Sequence, residues 1–333
     1  MAYIKLNKQA LFSNLDYFSS ICTKEKISVA LKDNAYGHGI DQIASMLQEY
    51  GIKHVFVRDM YEANIAKNYG FETILVLYDI PEYKDNDVVI SINSLELLSQ
   101  IPKESKVELK IDTGMHRNGV SFKEIQKACT IIQENNLILN GVFTHFCCSD
   151  EKNNNTAYQE KRFLDAVAET KKYVSKDFRI HCANSAGAHK VNMSKYNLAR
   201  IGIGVYGYLD LEEEKNLQPV LSLHAKKIAT QSLLMGDSVG YGSKAYRVAN
   251  DTIVSNYDVG YGNGLFRCSE NKIGYISDGR QILGRISMDS FSTFGNDKEV
   301  CVFDDVTSLA NTHTTIKYEI LTNLKANIKR VIV

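Results

Sequence analysis

Strand-length apolar runs alternate with amphipathic stretches through the first two-thirds of the chain. The runs at 27–31, 53–57, 73–78, 88–92, 107–111, 139–144, 178–182 and 203–206 read as short buried strands. Between them, 41–50, 60–69, 122–134 and 156–174 space their apolar residues three and four apart, as amphipathic helices do. Thr156 and Gln159, following an Asn-rich loop, have the layout of a capping box and predict a helix start. Eight βα units predict a (β/α)8 barrel, although a doubly wound sheet shares the same local pattern. Polar residues gather just past the strand ends, at Lys32, Arg117, His145, Asn184, Ser185 and Gly202. That favours the barrel, which collects all such ends at one mouth.

After Pro219 the pattern changes. Segments 220–230, 251–257, 273–276, 281–286 and 298–303 read as strands, separated at short intervals by turn signals such as Asp278-Gly279 and Gly295-Asn296. The expectation is a barrel domain over 1–213 and a mainly antiparallel β domain over 214–333. Residues 3–6 are a candidate extra strand of the second domain.

Composition narrows the function. Charges cancel to a net of zero, so nothing electrostatic argues for nucleic acid or an anionic membrane as partner. No apolar run approaches the ~18 residues of a membrane span, and the first residues lack the apolar core of a signal peptide. A cytoplasmic protein acting on a small molecule is expected. The seven cysteines are scattered, and no CxxC occurs, which predicts free thiols and no metal site. The neighbours Cys147 and Cys148 are expected to point to opposite faces of a strand.

The candidate chemistry starts at Lys32. An amine at the end of a buried strand is costly if charged and unpartnered. A neutral amine there can form a Schiff base with an aldehyde such as pyridoxal phosphate. A lysine snorkelling out of the strand end fits the bare pattern equally well. Tyr36 is placed to reach a phosphate. A second cluster, Lys110 to Gly119, sets Arg117 between two glycines, where a guanidinium can bind a carboxylate or a phenolic oxygen. His145 follows a strand. Ser185, opening a helix after a strand, is a phosphate site on physical grounds. Gly202 and Ile203 are placed to lend backbone N–H groups to the same phosphate.

These strings resemble the alanine racemase family. Val29 to Gly39 (VALKDNAYGHG) is similar to the family's cofactor-lysine motif. Lys110 to Gly119, Thr144-His145-Phe146, His181 to Gly187 and Leu198 to Gly207 resemble further family motifs in the same order. So do Asp237 to Gly242, Gly260 to Gly264 and Gly284 to Asp289. The resemblance implies a pyridoxal-phosphate enzyme that interconverts L- and D-alanine by two bases, Lys32 on one face of Cα and Tyr241 on the other. It implies Arg200 at the pyridine nitrogen, Asn184 and Ser185 among the cofactor contacts, and His145 beside the catalytic tyrosine. Arg117, Tyr261, Met288 and Asp289 would meet substrate, and Lys110 is the position some members carbamylate. Tyr241, Tyr261 and Met288 would enter the site of a partner subunit, making a homodimer with shared sites that supplies D-alanine for peptidoglycan. A racemase of broader specificity, such as for serine, and a barrel-type decarboxylase of basic amino acids are the alternatives. Asp33, Gly262, Asn263, Ser287 and the tail Ala326 to Arg330 depart from the family pattern.

Overall fold

The computed structural model describes residues 1–211, 216–242, 245–267 and 272–333. The expected boundary at 213/214 and Cys268 lie outside the described residues. The chain divides into two compact units, each described here by itself. One comprises Met1–Lys8, Tyr36–Gly39 and Pro219–Val333; the other comprises Gln9–Ala35 and Ile40–Gln218.

Strand β1 (Tyr3–Leu6) belongs to the first of these units. The second unit is built on eight parallel strands: β2 (Ile27–Ala30), β3 (His54–Val57), β4 (Thr73–Val76), β5 (Val89–Ile92), β6 (Lys106–Lys110), β7 (Ile138–Phe143), β8 (Arg179–His181) and β9 (Ala199–Ile201). Their order is β8-β7-β6-β5-β4-β3-β2-β9. The last seam is drawn together by Asn197 N–H on the Ile180 carbonyl (2.9 Å) and Arg200 N–H on the Ala183 carbonyl (2.9 Å). The result is a nearly closed barrel. β2, β4 and β5 are buried at every position, as strands covered on both faces must be. The eighth strand is not 203–206, as expected, but 199–201. Residues Ile203–Tyr206 form a 3-10 turn that ends at Gly207, whose φ of 102° leaves no room for continued extension.

Helices Ile40–Tyr50, Met60–Ala66, Ile125–Glu134 and Asn155–Thr170 cover the barrel strands. The anticipated capping box at Thr156 is absent: the helix begins one residue earlier, and Thr156 and Gln159 are buried within it. Just ahead of Ile125–Glu134, Glu124 Oε2 instead accepts from both Ser121 N–H (3.0 Å) and Ser121 Oγ (2.6 Å). A further helix, Lys8–Cys22, lacks an acidic first turn and escapes pattern reading, yet buries Ala10, Leu11, Leu15 and Phe18. Its buried Asn14 donates to the Val205 and Gln218 carbonyls.

The other unit is an antiparallel-rich sheet. β10 (Leu221–Leu233) pairs with β1, β13 (Thr252–Tyr257) and β15 (Glu299–Phe303). β14 (Phe291–Phe294) pairs with β13, and β16 (Lys329–Ile332) runs parallel to β1. β11 (Ser238–Val239) pairs antiparallel with β12 (Tyr246–Arg247). Residues 273–276 and 281–286 do not form strands. They carry isolated bridges, Tyr275 to Gln281 and Ile282 to Thr293, because the chain turns sharply at Gly279 and Gly284.

Candidate active site

Lys32 stands just past the end of β2. The next four residues, Asp33 to Tyr36, all have φ between 51° and 55°, a left-handed turn. Non-glycine residues resist that conformation by roughly 1–2 kcal/mol each, so the turn needs external support. Glu62, buried, provides it: its Oε1 accepts from Asn34 N–H (2.8 Å) and its Oε2 from Arg58 N–H (2.9 Å). Asn34 Oδ1 in turn accepts from Ile40 N–H (2.9 Å). Pattern reading missed Glu62, because the turn it supports at Asn34 lies 28 residues away in sequence. Asp33, the unusual neighbour, neither faces away nor stands idle. Its carboxylate bonds the Lys32 ammonium at 2.7 Å and lies 3.7 Å from Arg58 Nη1.

Arg200, on β9, is buried in the barrel. Its Nη1 donates to His181 Nδ1 (2.6 Å) and its Nη2 to the Thr144 carbonyl (2.6 Å), and the guanidinium lies 5.0 Å from the Phe143 ring centre. Burial lowers its pKa to about 10, against the pull of Glu108, so it stays charged at neutral pH. Lys110, at the end of β6, donates to Asn118 Oδ1. Burial first, then the charges of Arg200 and Arg117, pull its pKa down to about 7. His145 follows β7. Burial, together with the cations Arg200, Lys110, Arg117 and Lys32, pushes its imidazole down to about 3 and keeps it neutral. Arg117 itself lies exposed in the loop after β6. The structure therefore brings Lys32, Lys110, Arg117, His145 and Arg200 into one field of positive charge.

Ser185 does not open an α-helix, so the helix-dipole argument for a phosphate there fails; a 3-10 turn, Gly187–His189, follows it. Its geometry still suits an anion. Ser185 Oγ accepts from Gly202 N–H (3.0 Å) and Gly204 N–H (3.3 Å). Asn184 Oδ1 accepts from Ser149 Oγ (2.7 Å) and Gly187 N–H (2.8 Å), which fixes this loop. Gln159 knits the neighbouring loops, bonding Cys147 N–H (3.0 Å) and Thr113 Oγ1 (3.1 Å). The Cys147 and Cys148 sulfurs lie 2.9 Å apart, not on opposite faces, because β7 ends at Phe143 and the chain is in a loop. The six described cysteines are free, and the described residues hold no cluster of three or more metal-ligating side chains.

The remaining sequence-predicted residues belong to the β-rich unit. Tyr36 packs against Tyr318 with ring centres 5.7 Å apart. The turn after it is closed by Arg330, which donates to the Gly37 carbonyl (2.8 Å). Two loops interlock: Gly262 N–H bonds the Met288 carbonyl (2.7 Å) and Tyr261 N–H the Ser287 carbonyl (3.1 Å). A Cβ on Gly260 would lie 2.3 Å from the Met288 oxygen, so only glycine permits the approach. Asn263 caps Gly260 N–H through Oδ1 (3.0 Å). Tyr261, Met288 and Asp289 are thereby held on one pair of loops. Tyr241 sits in a turn between Gly240 and Gly242, both at positive φ, and is 58% exposed.

A nearly closed parallel barrel with cationic groups at its strand ends, joined in one chain to an antiparallel-rich unit, defines a two-domain α/β-barrel protein. The family model for the alanine racemase N-terminal domain matches residues 6–210, and that for the C-terminal domain matches 220–332. The chain belongs to the alanine racemase family. It is 40% identical over 338 residues to an alanine racemase of a Nitratiruptor species, with 99% of each chain covered. It is 36% identical to one of Campylobacter jejuni, with both chains covered in full. Among solved structures, alanine racemase of Clostridium difficile 630 superposes with a TM-score of 0.90 at 24% identity, covering 100% of this chain and 95% of that one. The Bacillus anthracis enzyme with bound L-Ala-P superposes at 0.89 and 25% identity, with the same coverage.

Proposed function

We propose that the protein is an alanine racemase that interconverts L- and D-alanine with pyridoxal phosphate as cofactor, supplying D-alanine for peptidoglycan. The observation that carries this reading is the gathering of Lys32, Arg200, His145 and the Ser185–Gly202 cradle at the strand ends of one barrel. The end-to-end family match supports it.

The donor set fits the cofactor. Ser185 Oγ, already accepting two N–H groups, has its own hydrogen left to donate to an anion. A side chain at 204 would displace the cradle, since a Cβ there would lie 2.4 Å from the Phe18 ring and 3.2 Å from Ser185 Cβ. Arg200 has only donors and is held by carbonyls and a neutral imidazole, which suits an unprotonated ring nitrogen. Lys32 would hold the cofactor through its amine. Ser185, Asn184, Gly202, Ile203 and Tyr36 would hold its phosphate, Arg200 its ring nitrogen, and Arg117 and His145 its outer edge. Bound, it supplies an electron sink that acidifies the α-proton of alanine.

The protein's own groups do the rest. Lys32 Nζ takes the α-proton of D-alanine from one face of Cα, and the proton that inverts the centre is returned to the other face; in the reverse direction Lys32 gives the proton to its own face. Tyr241 Oη, from a second copy of the chain, serves the opposite face for L-alanine. To act as a base the phenol must shed its proton; the imidazole of His145 would hydrogen-bond its oxygen, and the cations Arg200, Lys110 and Arg117 around that imidazole would stabilise the phenolate. Arg117 binds the substrate carboxylate together with the Met288 backbone N–H of a second copy of the chain, whose Tyr261 and Asp289 line the entrance. The exposure of Tyr241, Tyr261 and Met288 supports their reaching into a partner, in a homodimer with shared sites. The lowered Lys110 amine supports carbamylation by carbon dioxide. The free thiols support a reducing compartment, the cytoplasm; no helix among the described residues is long and apolar enough to cross a membrane.

The test is purified protein loaded with pyridoxal phosphate. It should show the absorbance of lysine-bound cofactor and convert L-alanine to D-alanine. Lys32→Ala should lose both; a Lys32→Ala protein that racemised at the native rate would refute the reading.

A further inference from the structure

Below Arg200 the barrel interior holds a second polar chain, in which Glu108 and His181 are buried and Arg179 is partly so. Glu108 and Lys110 share the inward face of β6, and Arg179 and His181 share that of β8, because side chains alternate along a strand. Glu108 Oε1 accepts from Arg179 Nε at 2.5 Å, and its Oε2 lies 2.8 Å from His181 Nε2. Arg179 Nη1 continues to Thr73 Oγ1 at 2.9 Å. The contact crosses over β7, and it does so because position 141 is glycine. A Cβ there would lie 2.8 Å from Arg179 Cγ and 2.9 Å from Glu108 Oε1. The barrel has therefore left room for this carboxylate.

The chain admits one proton assignment. Arg200 Nη1 can only donate, so His181 Nδ1 presents its lone pair. The imidazole, which burial keeps neutral with a pKa of about 4, then carries its proton on Nε2 and gives it to Glu108. Burial opposes the charge on Glu108, but His181 and Arg179 outweigh it and hold the carboxyl at about 2. The ring is also stacked on Phe143, 5.0 Å between centres and 2° from parallel, so it cannot swing to another partner without losing that contact. Were Glu108 apolar, Nε2–H would be a buried orphan. The other tautomer, with its proton on Nδ1, would face Arg200 donor to donor.

We propose that Glu108 is a positioning residue of the active site, setting the His181 tautomer that aims the Arg200 guanidinium. This rests on the reading above that Arg200 meets the cofactor ring nitrogen. No contact of Glu108 with substrate or cofactor is involved.

The test compares two double variants that share Arg179→Met: one with Glu108→Gln, one with Glu108→Leu. Both exchange the buried ion pair for neutral groups, a change often neutral or stabilising for the fold. They differ in whether His181 Nε2–H has an acceptor. Nitrogen-15 spectra of labelled histidine in the cofactor-free protein, assigned by the signal lost in His181→Asn, report the tautomer directly. Native protein and the Gln variant should show the proton on Nε2; the Leu variant should shift it towards Nδ1. Loaded with cofactor, the Leu variant should lose kcat about tenfold at unchanged KM, with an altered pH dependence of the cofactor absorbance, while the Gln variant stays close to native. A proton on Nδ1 in the native protein overturns the proposal whatever the variants do. So do identical tautomers in the two variants, or different tautomers with identical turnover and absorbance. Native protein that binds no cofactor and makes no D-alanine would instead sink the functional reading and leave the tautomer result standing.

Discussion

Replacing Lys110 by methionine should change stability in opposite directions at low and high pH. The lysine is almost fully buried, and its pKa falls from 10.5 to about 7 through burial and the nearby Arg200 and Arg117. A tenfold change in proton affinity is worth about 1.4 kcal/mol, so charging this amine in the folded protein costs about 5 kcal/mol. Below pH 7 the group is protonated in both states, and the native state bears that cost in full. From pH 7 to about 10 the unfolded chain binds a proton that the native state does not, so native stability rises with pH. Against this stands the bond from Lys110 to Asn118, worth about 0.5–1.5 kcal/mol. Lys110→Met should therefore be more stable than native protein at pH 6, by about 3–4 kcal/mol. Near pH 10 the two should be about equally stable, and above about pH 11, where the unfolded amine is also neutral, the variant should be less stable by about 1 kcal/mol. The assay is urea unfolding of cofactor-free protein in buffer purged of carbon dioxide, since a carbamate would replace the cation by an anion. A stability difference of one sign and constant size across that pH range would refute the reasoning.

Gly204→Ala sets a methyl against Phe18 and Ser185; it should weaken pyridoxal phosphate binding about tenfold (~1.4 kcal/mol), read by absorbance titration. Gly141→Ala drives a Cβ into Glu108 and Arg179; it should cost about 1–3 kcal/mol in urea unfolding, and no loss would show that the crossing over β7 is loose. Tyr241→Phe should keep the cofactor absorbance and lower racemisation about a hundredfold or more, with unchanged turnover removing Tyr241 from the reaction.

The barrel was legible because strands buried on both faces read as nearly unbroken apolar runs, as at 27–31 and 88–92. The same rule misled at 203–206, where Ile203, Val205 and Tyr206 are all buried but the flanking glycines fold them into a 3-10 turn. It misled again at 273–276 and 281–286, where local alternation does not reveal that Gly279 and Gly284 prevent a ladder. The short strands Phe291–Phe294 and Lys329–Ile332 are set by partners distant in sequence and carry little signal of their own. Lys32 stood out because a charged group at the end of a buried strand demands a reason; Arg200 was marked only by its family motif. Glu62 and Glu108 are buried carboxylates too. They stayed hidden because what makes them meaningful is a left-handed turn in one case and a glycine on the intervening strand in the other, both visible only in three dimensions. Asp33 was visible in sequence, but only the structure shows it bonding Lys32.

The most direct test of the central claim is to incubate the purified, cofactor-loaded protein with L-alanine in deuterated water and follow both enantiomers and their Cα hydrogen. The account predicts approach to equal L- and D-alanine, deuterium entering Cα of the product, and the same end point from D-alanine. Bound cofactor with no D-alanine formed, or release of carbon dioxide in its place, would contradict it.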